Sequence, residues 1–168
     1  MKNLFPIALT IIAICLGISL VSCDRNKVYE EYVKIESDQI KDGEYIWDYT
    51  KPVSFEFEVN DTSAIHNVYV NVRHANLYPY KNLWLFIDSW SPAGVKATDT
   101  LECTLADKNG KWLGSGLGDI WDTQILWKQN VRFATPGKYH VEYKQGMRVD
   151  NLPGIMDMGL RVELADEE

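Results

Sequence analysis

The 168-residue chain is expected to be all-β, on three observations. Apolar residues alternate with polar ones in several separate runs, as in a strand with one wet face. Turn residues punctuate these runs at short intervals, at Asn60-Asp61, Asn109-Gly110 and Pro136-Gly137. No stretch carries a long helical apolar stripe after the first two dozen residues. About seven to nine short strands follow from this spacing, which suits a single antiparallel β-sandwich, jelly-roll or immunoglobulin-like, with an irregular Gly/Trp-rich loop.

From Asp24 to about Ile40 the sequence is polar, with Val28, Tyr29, Tyr32, Val33 and Ile35 loosely spaced, and reads as a tether running into a first edge strand. Tyr45-Ile46-Trp47 is a short apolar piece ending near Pro52. Phe55, Phe57 and Val59 then alternate with Ser54, Glu56 and Glu58, and Val68, Val70 and Val72 with Tyr69, Asn71 and Arg73. Tyr78-Pro79-Tyr80 is a stiff corner, because the proline ring fixes its own φ and holds Tyr78 extended. Leu83–Ile87 is continuously apolar, so it is expected to be central and covered on both faces.

Ser89–Asp99 reads as a loop around Pro92 and Gly94. Leu101, Cys103 and Leu105 then alternate inward. Ile125, Trp127, Val131 and Phe133 keep one parity across Asn130. Tyr139, Val141 and Tyr143 follow the Pro136-Gly137 turn, and Met158, Leu160, Val162 and Leu164 close the domain. Asp119–Trp127 has a competing reading as one helical turn with Asp119 as its cap.

The N-terminus carries a different signal. Lys2 precedes the apolar run Leu4–Val21, which ends in Leu20-Val21-Ser22-Cys23 and polar sequence. An aliphatic residue and a small Ser22 before a cysteine resemble the bacterial lipobox, in which the Cys23 thiol takes a diacylglycerol group before cleavage. The expected organisation is therefore a lipoprotein signal peptide over 1–22, a lipidated tether and first edge strand over 23–40, and a β-sandwich domain over 41–168. Acyl chains contribute about 0.8 kcal/mol per buried methylene, so a multiply acylated Cys23 would hold the protein on a lipid bilayer.

Composition excludes several functions. Loss of residues 1–22 removes one Lys and no acid, taking the net charge from −7 to −8, which disfavours nucleic acid. Cys15 leaves with the signal and Cys23 is taken by lipid, so Cys103 has no partner within the mature chain. The histidines His66, His74 and His140 are read as lying in separate elements without metal-ligand spacing. Gly114, Gly116 and Gly118 lack the spacing of a dinucleotide loop, since Asp119 occupies the next position. No nucleophile elbow is present, and no enzyme, cofactor or metal site is expected.

The stretch Leu105–Trp127 is the least generic part of the chain, because it mixes glycine with tryptophan. Alternating glycines imply close backbone approach or a sharp bend. Strand parity already fills a core without Trp112, Trp121, Tyr78 and Tyr80, so these are expected to form a docking surface, with Asp119 and Asp122 as its polar rim. The competing reading places the same aromatics in a second small core under the Gly114–Gly118 bend.

Several long motifs carry a family resemblance: Tyr78–Ile87 (YPYKNLWLFI), Asp99–Asp107 (DTLECTLAD), Gly110–Asp122 (GKWLGSGLGDIWD) and Leu152–Glu163 (LPGIMDMGLRVE). Together with Cys23 they resemble the GldH family of gliding motility-associated lipoproteins from Bacteroidetes, with Gly146 standing where alanine is expected. The resemblance implies an envelope role with the gliding machinery and its associated secretion system, and no catalytic residues. The expected function is a non-catalytic scaffold or assembly lipoprotein that docks an envelope protein. The alternative is a glycan or peptidoglycan binder, an analogy at the level of fold. Asp24 is followed by Arg25, Asn26 and Lys27 rather than by the acidic cluster of surface-exported lipoproteins, so an outer-membrane anchor facing the periplasm is expected.

Overall fold

The structure is a computed structural model that describes residues 24–35 and 45–165. The expected lipid-attachment residue Cys23 and the expected signal peptide lie outside the described residues. Among the described residues eleven strands form, more than expected because three of them span only three residues each. They are β1 (Lys27–Lys34), β2 (Ile46–Asp48), β3 (Val53–Val59), β4 (His66–Ala75), β5 (Asn82–Trp90) and β6 (Lys96–Thr104), then β7 (Ser115–Leu117), β8 (Ile120–Val131), β9 (Gly137–Gln145), β10 (Asn151–Pro153) and β11 (Ile155–Leu164).

One sheet has the order β1-β11-β4-β8-β7 and the other β3-β9-β5-β6, while β10 and β2 form a separate pair. All registered pairs are antiparallel. With the three short strands set aside, the eight long ones in chain order run 1-8-3-6 in one sheet and 2-7-4-5 in the other. That interleaving is the jelly roll, so of the two topologies expected from sequence it is the jelly roll that forms.

Alternation builds the core. Strand β3 buries Val53, Phe55, Phe57 and Val59 and exposes the residues between them, and β4 buries Val68, Val70 and Val72. Met158, Leu160 and Val162 join from β11, with Val141 and Tyr143 from β9. At about 25 cal/mol per Å² of apolar surface, each large side chain buried here contributes roughly 1.5–3 kcal/mol before entropy is charged. Trp47 is also core, its indole N–H donating to the Lys51 carbonyl at 2.8 Å.

Several local expectations are corrected. Strand β5 is interior to its sheet but is covered on one face only. Leu83, Leu85 and Ile87 are buried, whereas Trp84 is 39% exposed and Phe86 48%. An antiparallel sheet can leave one face to water, and here that face carries the Trp84 and Phe86 rings beside the Asp88–Lys96–Lys144 charges. The expected loop Ser89–Asp99 shrinks to Ser91–Val95, since Ser89 and Trp90 complete β5 and Lys96–Asp99 open β6. Asp119–Trp127 forms no helical turn: from Ile120 onward it is strand β8, and the Gly/Trp-rich stretch is largely the β7–β8 hairpin on the sheet edge.

The strands have a consistent polarity between two ends. Asp24 and Lys27 sit at the end defined by His66, Val131 and Leu164. Arg161 pins that entry by pairing with Asp24, Glu30 and Glu163. The corner Asn76–Lys81, the hairpin tip at Gly118-Asp119 and the turn after Gln145 lie at the opposite end. Strand β4 spans ten residues at about 3.3 Å each, so the two ends are about 30 Å apart.

Candidate docking surface

The Trp112 corner is built from a side-chain-capped turn. The Asp107 carboxylate accepts from the backbone N–H groups of Asn109 at 2.8 Å and Lys111 at 2.9 Å, and Gly110 takes φ 84°. The chain then returns so that Trp112 bridges Ala106. The Trp112 indole N–H donates to Asn76 Oδ1 at 2.9 Å, and its ring meets His74 edge-on with centroids 4.5 Å apart. Trp112 is thus half-buried and held from two sides.

Tyr78 does not belong to a surface. It is 3% exposed, packs against His74, Trp112 and Tyr80, and donates its hydroxyl to the Asn82 carbonyl at 2.9 Å. Burial pushes its phenol up from the ordinary tyrosine range. With His74 fully buried beside it, the corner realises in part the expected second small core, and Tyr78 is removed from the docking set. Burial lowers the His74 pKa, while a bond to the Ala75 carbonyl opposes it.

The glycines act at Gly114 and Gly116. A Cβ on Gly114 would lie 2.1 Å from the Asp122 carbonyl oxygen, and one on Gly116 would lie 2.8 Å from the Trp121 ring. Trp121 is half-buried over that bare backbone. Asp122 accepts from Arg73 at 2.8 Å, and Arg73 reaches Asp157 at 3.3 Å and stacks on Tyr32. Asp119 is exposed at the hairpin tip and its carbonyl accepts from the Asn76 N–H at 2.7 Å. Trp112, Trp121 and Asp122 therefore spend most of their contacts inside the fold.

Tyr80 opens onto a different surface. It lines a recess of about 490 Å³ with Trp84, Phe86, Met147 and Arg148 on the outer face of the β3-β9-β5-β6 sheet. Met147 is fixed by its backbone N–H bonding Gln145 Oε1 at 2.8 Å, and Gly146 donates to the Trp84 carbonyl at 2.7 Å. Gly146 leaves room for the Phe86 ring, which a Cβ would approach to 3.0 Å. Sequence reasoning assigned Trp84 and Phe86 to a covered strand and passed over Met147 and Arg148. The usable signal was the alternation of aliphatic with aromatic residues inside Leu83–Ile87.

Cys103 is fully buried and its thiol is pushed up to about 12 by burial, so it carries no thiolate at neutral pH. His66 and His74, expected in separate elements, sit at opposite ends of the same strand β4, and both are buried. On the outer sheet face Asp88 is held down at about 2, by a hydrogen bond from Thr98 first and by Lys96 and Lys144.

Residues 27–162 match the GldH lipoprotein family. The chain is 34% identical to the "Gliding motility lipoprotein GldH homolog" of Christiangramia forsetii, covering 99% of both chains. It is 35% identical to the "Gliding motility lipoprotein GldH" of Flavobacterium johnsoniae, over 89% of this chain and 92% of that one. Among solved structures, TmCBM61 in complex with beta-1,4-galactotriose is 12% identical, with 80% of this chain and 89% of that chain covered and a TM-score of 0.35. The infectious bursal disease virus VP2 subviral particle is 12% identical, with 83% and 33% covered and a TM-score of 0.36. Likeness at those TM-scores carries no functional reading.

Proposed function

The chain belongs to the GldH lipoprotein family, and from that premise we propose that it is a membrane-anchored component of the cell envelope acting with the gliding machinery. Its part there is non-catalytic: it docks another envelope protein. One observation carries this reading. Tyr80, Trp84, Phe86, Met147 and Arg148 gather around one recess toward the end of the sandwich opposite Asp24. Aromatic residues, Met and Arg are the types enriched at protein interfaces, where a few rings supply most of the binding energy. With acyl chains on Cys23, next to Asp24, this recess would stand up to about 30 Å from the bilayer.

The anchor is read as outer-membrane and periplasm-facing, supported by the Asp24-Arg25-Asn26-Lys27 start of the mature chain. The test is photo-crosslinking in intact cells from positions 80 and 86, with position 56, on edge strand β3 of the same sheet, as control. A single envelope protein captured from 80 and 86 but not from 56 supports docking. Binding of purified peptidoglycan fragments, with no protein captured, would favour the glycan alternative.

A further inference from the structure

A jelly roll leaves four strand edges, and here they are not alike. Edge strand β1 carries Lys27, Glu30, Glu31 and Lys34, β3 carries Glu56 and Glu58, and β6 carries Lys96, Asp99 and Glu102. Charges of this kind discourage strand addition. Strand β8 differs. The short β7 covers its outer edge only from Ile120 to Asp122, and among the described residues no strand other than β4, on the inner side, pairs with the following run Thr123–Trp127, which has no charged side chain.

The backbone direction there is set by parity. Asp119 directs its carbonyl to Asn76, on the β4 side, and successive residues of an antiparallel strand alternate sides. Trp121, Thr123 and Ile125 therefore face β4. Gln124 and Leu126 turn their N–H and C=O groups outward, continuing the row that Ile120 and Asp122 use for β7.

That row opens into a groove of about 610 Å³ between the edges of the two sheets, lined by Glu102 and Thr104 from β6, Leu113 to Ser115, and Asp122 to Leu126. Leu113 and Leu126 are both more than a third exposed there. The groove is lined at one end by Leu113–Ser115, and beyond its last lining residue, Leu126, the Lys128–Asp99 ion pair at 3.0 Å joins β8 to β6. From Gln124 to Lys128 is about 13 Å at 3.3 Å per residue, room for three or four residues of an extended chain.

We propose that this edge accepts a short extended segment of a partner protein as an added strand, apolar toward Leu113 and Leu126 and carrying a Lys or Arg for the exposed carboxylate of Glu102. Main-chain hydrogen bonds would supply affinity and the side-chain contacts selectivity, as in other strand-addition sites. The charge argument selects the occupant. A second copy would bring another Glu102 edge, from a chain already at −7, against this one and oppose like charges. The site is distinct from the Tyr80–Phe86 recess, so either reading can fail while the other stands.

The test uses the full lipoprotein in detergent and a synthetic peptide of alternating Thr and Val with a central Lys. Amide hydrogen exchange is read at Gln124 and Leu126. In the free protein both amides exchange quickly, and saturating peptide slows them by at least about tenfold. The same peptide with Glu in place of Lys, or N-methylated on its pairing edge, gives no protection. Gln124→Pro removes an outward N–H without touching the β4 ladder and abolishes the effect; should that variant not fold, the N-methylated peptide makes the same test. Protection without peptide, protection that grows with protein concentration, or equal protection by the Lys and Glu peptides overturns the proposal.

Discussion

Gly114 lies directly against the Asp122 carbonyl: a Cβ at that glycine would be 2.1 Å from the oxygen, and its φ is +79°. Gly118, at the hairpin tip, has φ +64° but nothing within 4 Å of the same position. The two positions separate backbone strain from steric clash. Gly118→Ala should cost about 1 kcal/mol, the price of a left-handed conformation alone. Gly114→Ala adds displacement of the β8 backbone that holds Asp122 on Arg73, and should exceed it by at least about 2 kcal/mol. Urea unfolding of the two variants checks the order, and equal losses would refute the close contact.

Stability should fall as pH drops below the ordinary histidine range. Burial lowers the pKa of both His66 and His74, opposed at His66 by the Ala64 and Val131 backbone and by Asp61, and at His74 by Ala75 and Asp122. Between the folded and unfolded pKa values the unfolded chain binds more protons. The stability contribution is therefore complete above about pH 6.5 and is lost as pH falls through the lowered values. Urea midpoints at pH 7.5, 6 and 5 should decline, and His74→Gln should flatten part of that slope. Asp88, held at about 2, acts in a separate window below the usual aspartate range.

Cys103 faces the core between the two sheets with no exposed surface. A thiol pushed up to about 12 in such a place reacts slowly with alkylating reagents. Iodoacetamide should label the native protein at least about a hundredfold more slowly than the unfolded chain, since reaction requires opening. Cys103→Ser places a hydroxyl among Tyr78, Tyr143 and Leu83 and should destabilise by about 1–3 kcal/mol. Any loss of function in that variant should follow its loss of stability.

Much of this fold could be read from alternation, because a residue's face depends on the parity of its own strand. Phe55, Val70, Leu101, Val141 and Leu160 needed no partner to be assigned inward. What alternation does not carry is which strands are neighbours, and the jelly-roll order became visible only in the pairings. The surface site failed for the same reason. Trp84 and Phe86 look like core in a five-residue apolar run, where only their alternation with aliphatic residues sets them apart, and the pairings with β6 and β9 show that their side faces water. Tyr78 failed in reverse: its corner is irregular in sequence, yet His74 and Trp112 close over it.

Membrane attachment is expected to depend on a single atom, the sulfur of Cys23. Cys23→Ala should abolish palmitate labelling and leave the protein soluble or unprocessed, because stable anchoring needs more than one acyl chain and the variant has none. Membrane fractionation with metabolic labelling measures this. Unchanged labelling in the variant would overturn the assignment of Cys23. The sandwich itself should be unaffected, since Arg161 holds the chain from Asp24 onward.

Four aromatic substitutions should divide into two classes. Trp112 is clamped by Asn76 and His74, and Trp121 covers Gly116, so their removal opens space inside the fold. Trp112→Ala and Trp121→Ala should each lose about 2 kcal/mol or more of stability, toward the lower end for buried tryptophans because both are half-buried. Trp84 and Phe86 project from a sheet whose inner face is already filled by Leu83, Leu85 and Ile87. Trp84→Ala and Phe86→Ala should change stability by less than about 1 kcal/mol, since the substitutions reach only the solvent side of the strand. If the recess docks a partner, however, each should weaken capture in the envelope by at least about 2 kcal/mol, roughly thirtyfold. Thermal melts and crosslinking yield from position 80, measured on the same four variants, distinguish the classes. Full partner retention in Trp84→Ala and Phe86→Ala would end the docking reading for this recess, and partner loss without stability loss in Trp112→Ala would return it to the Trp112 corner.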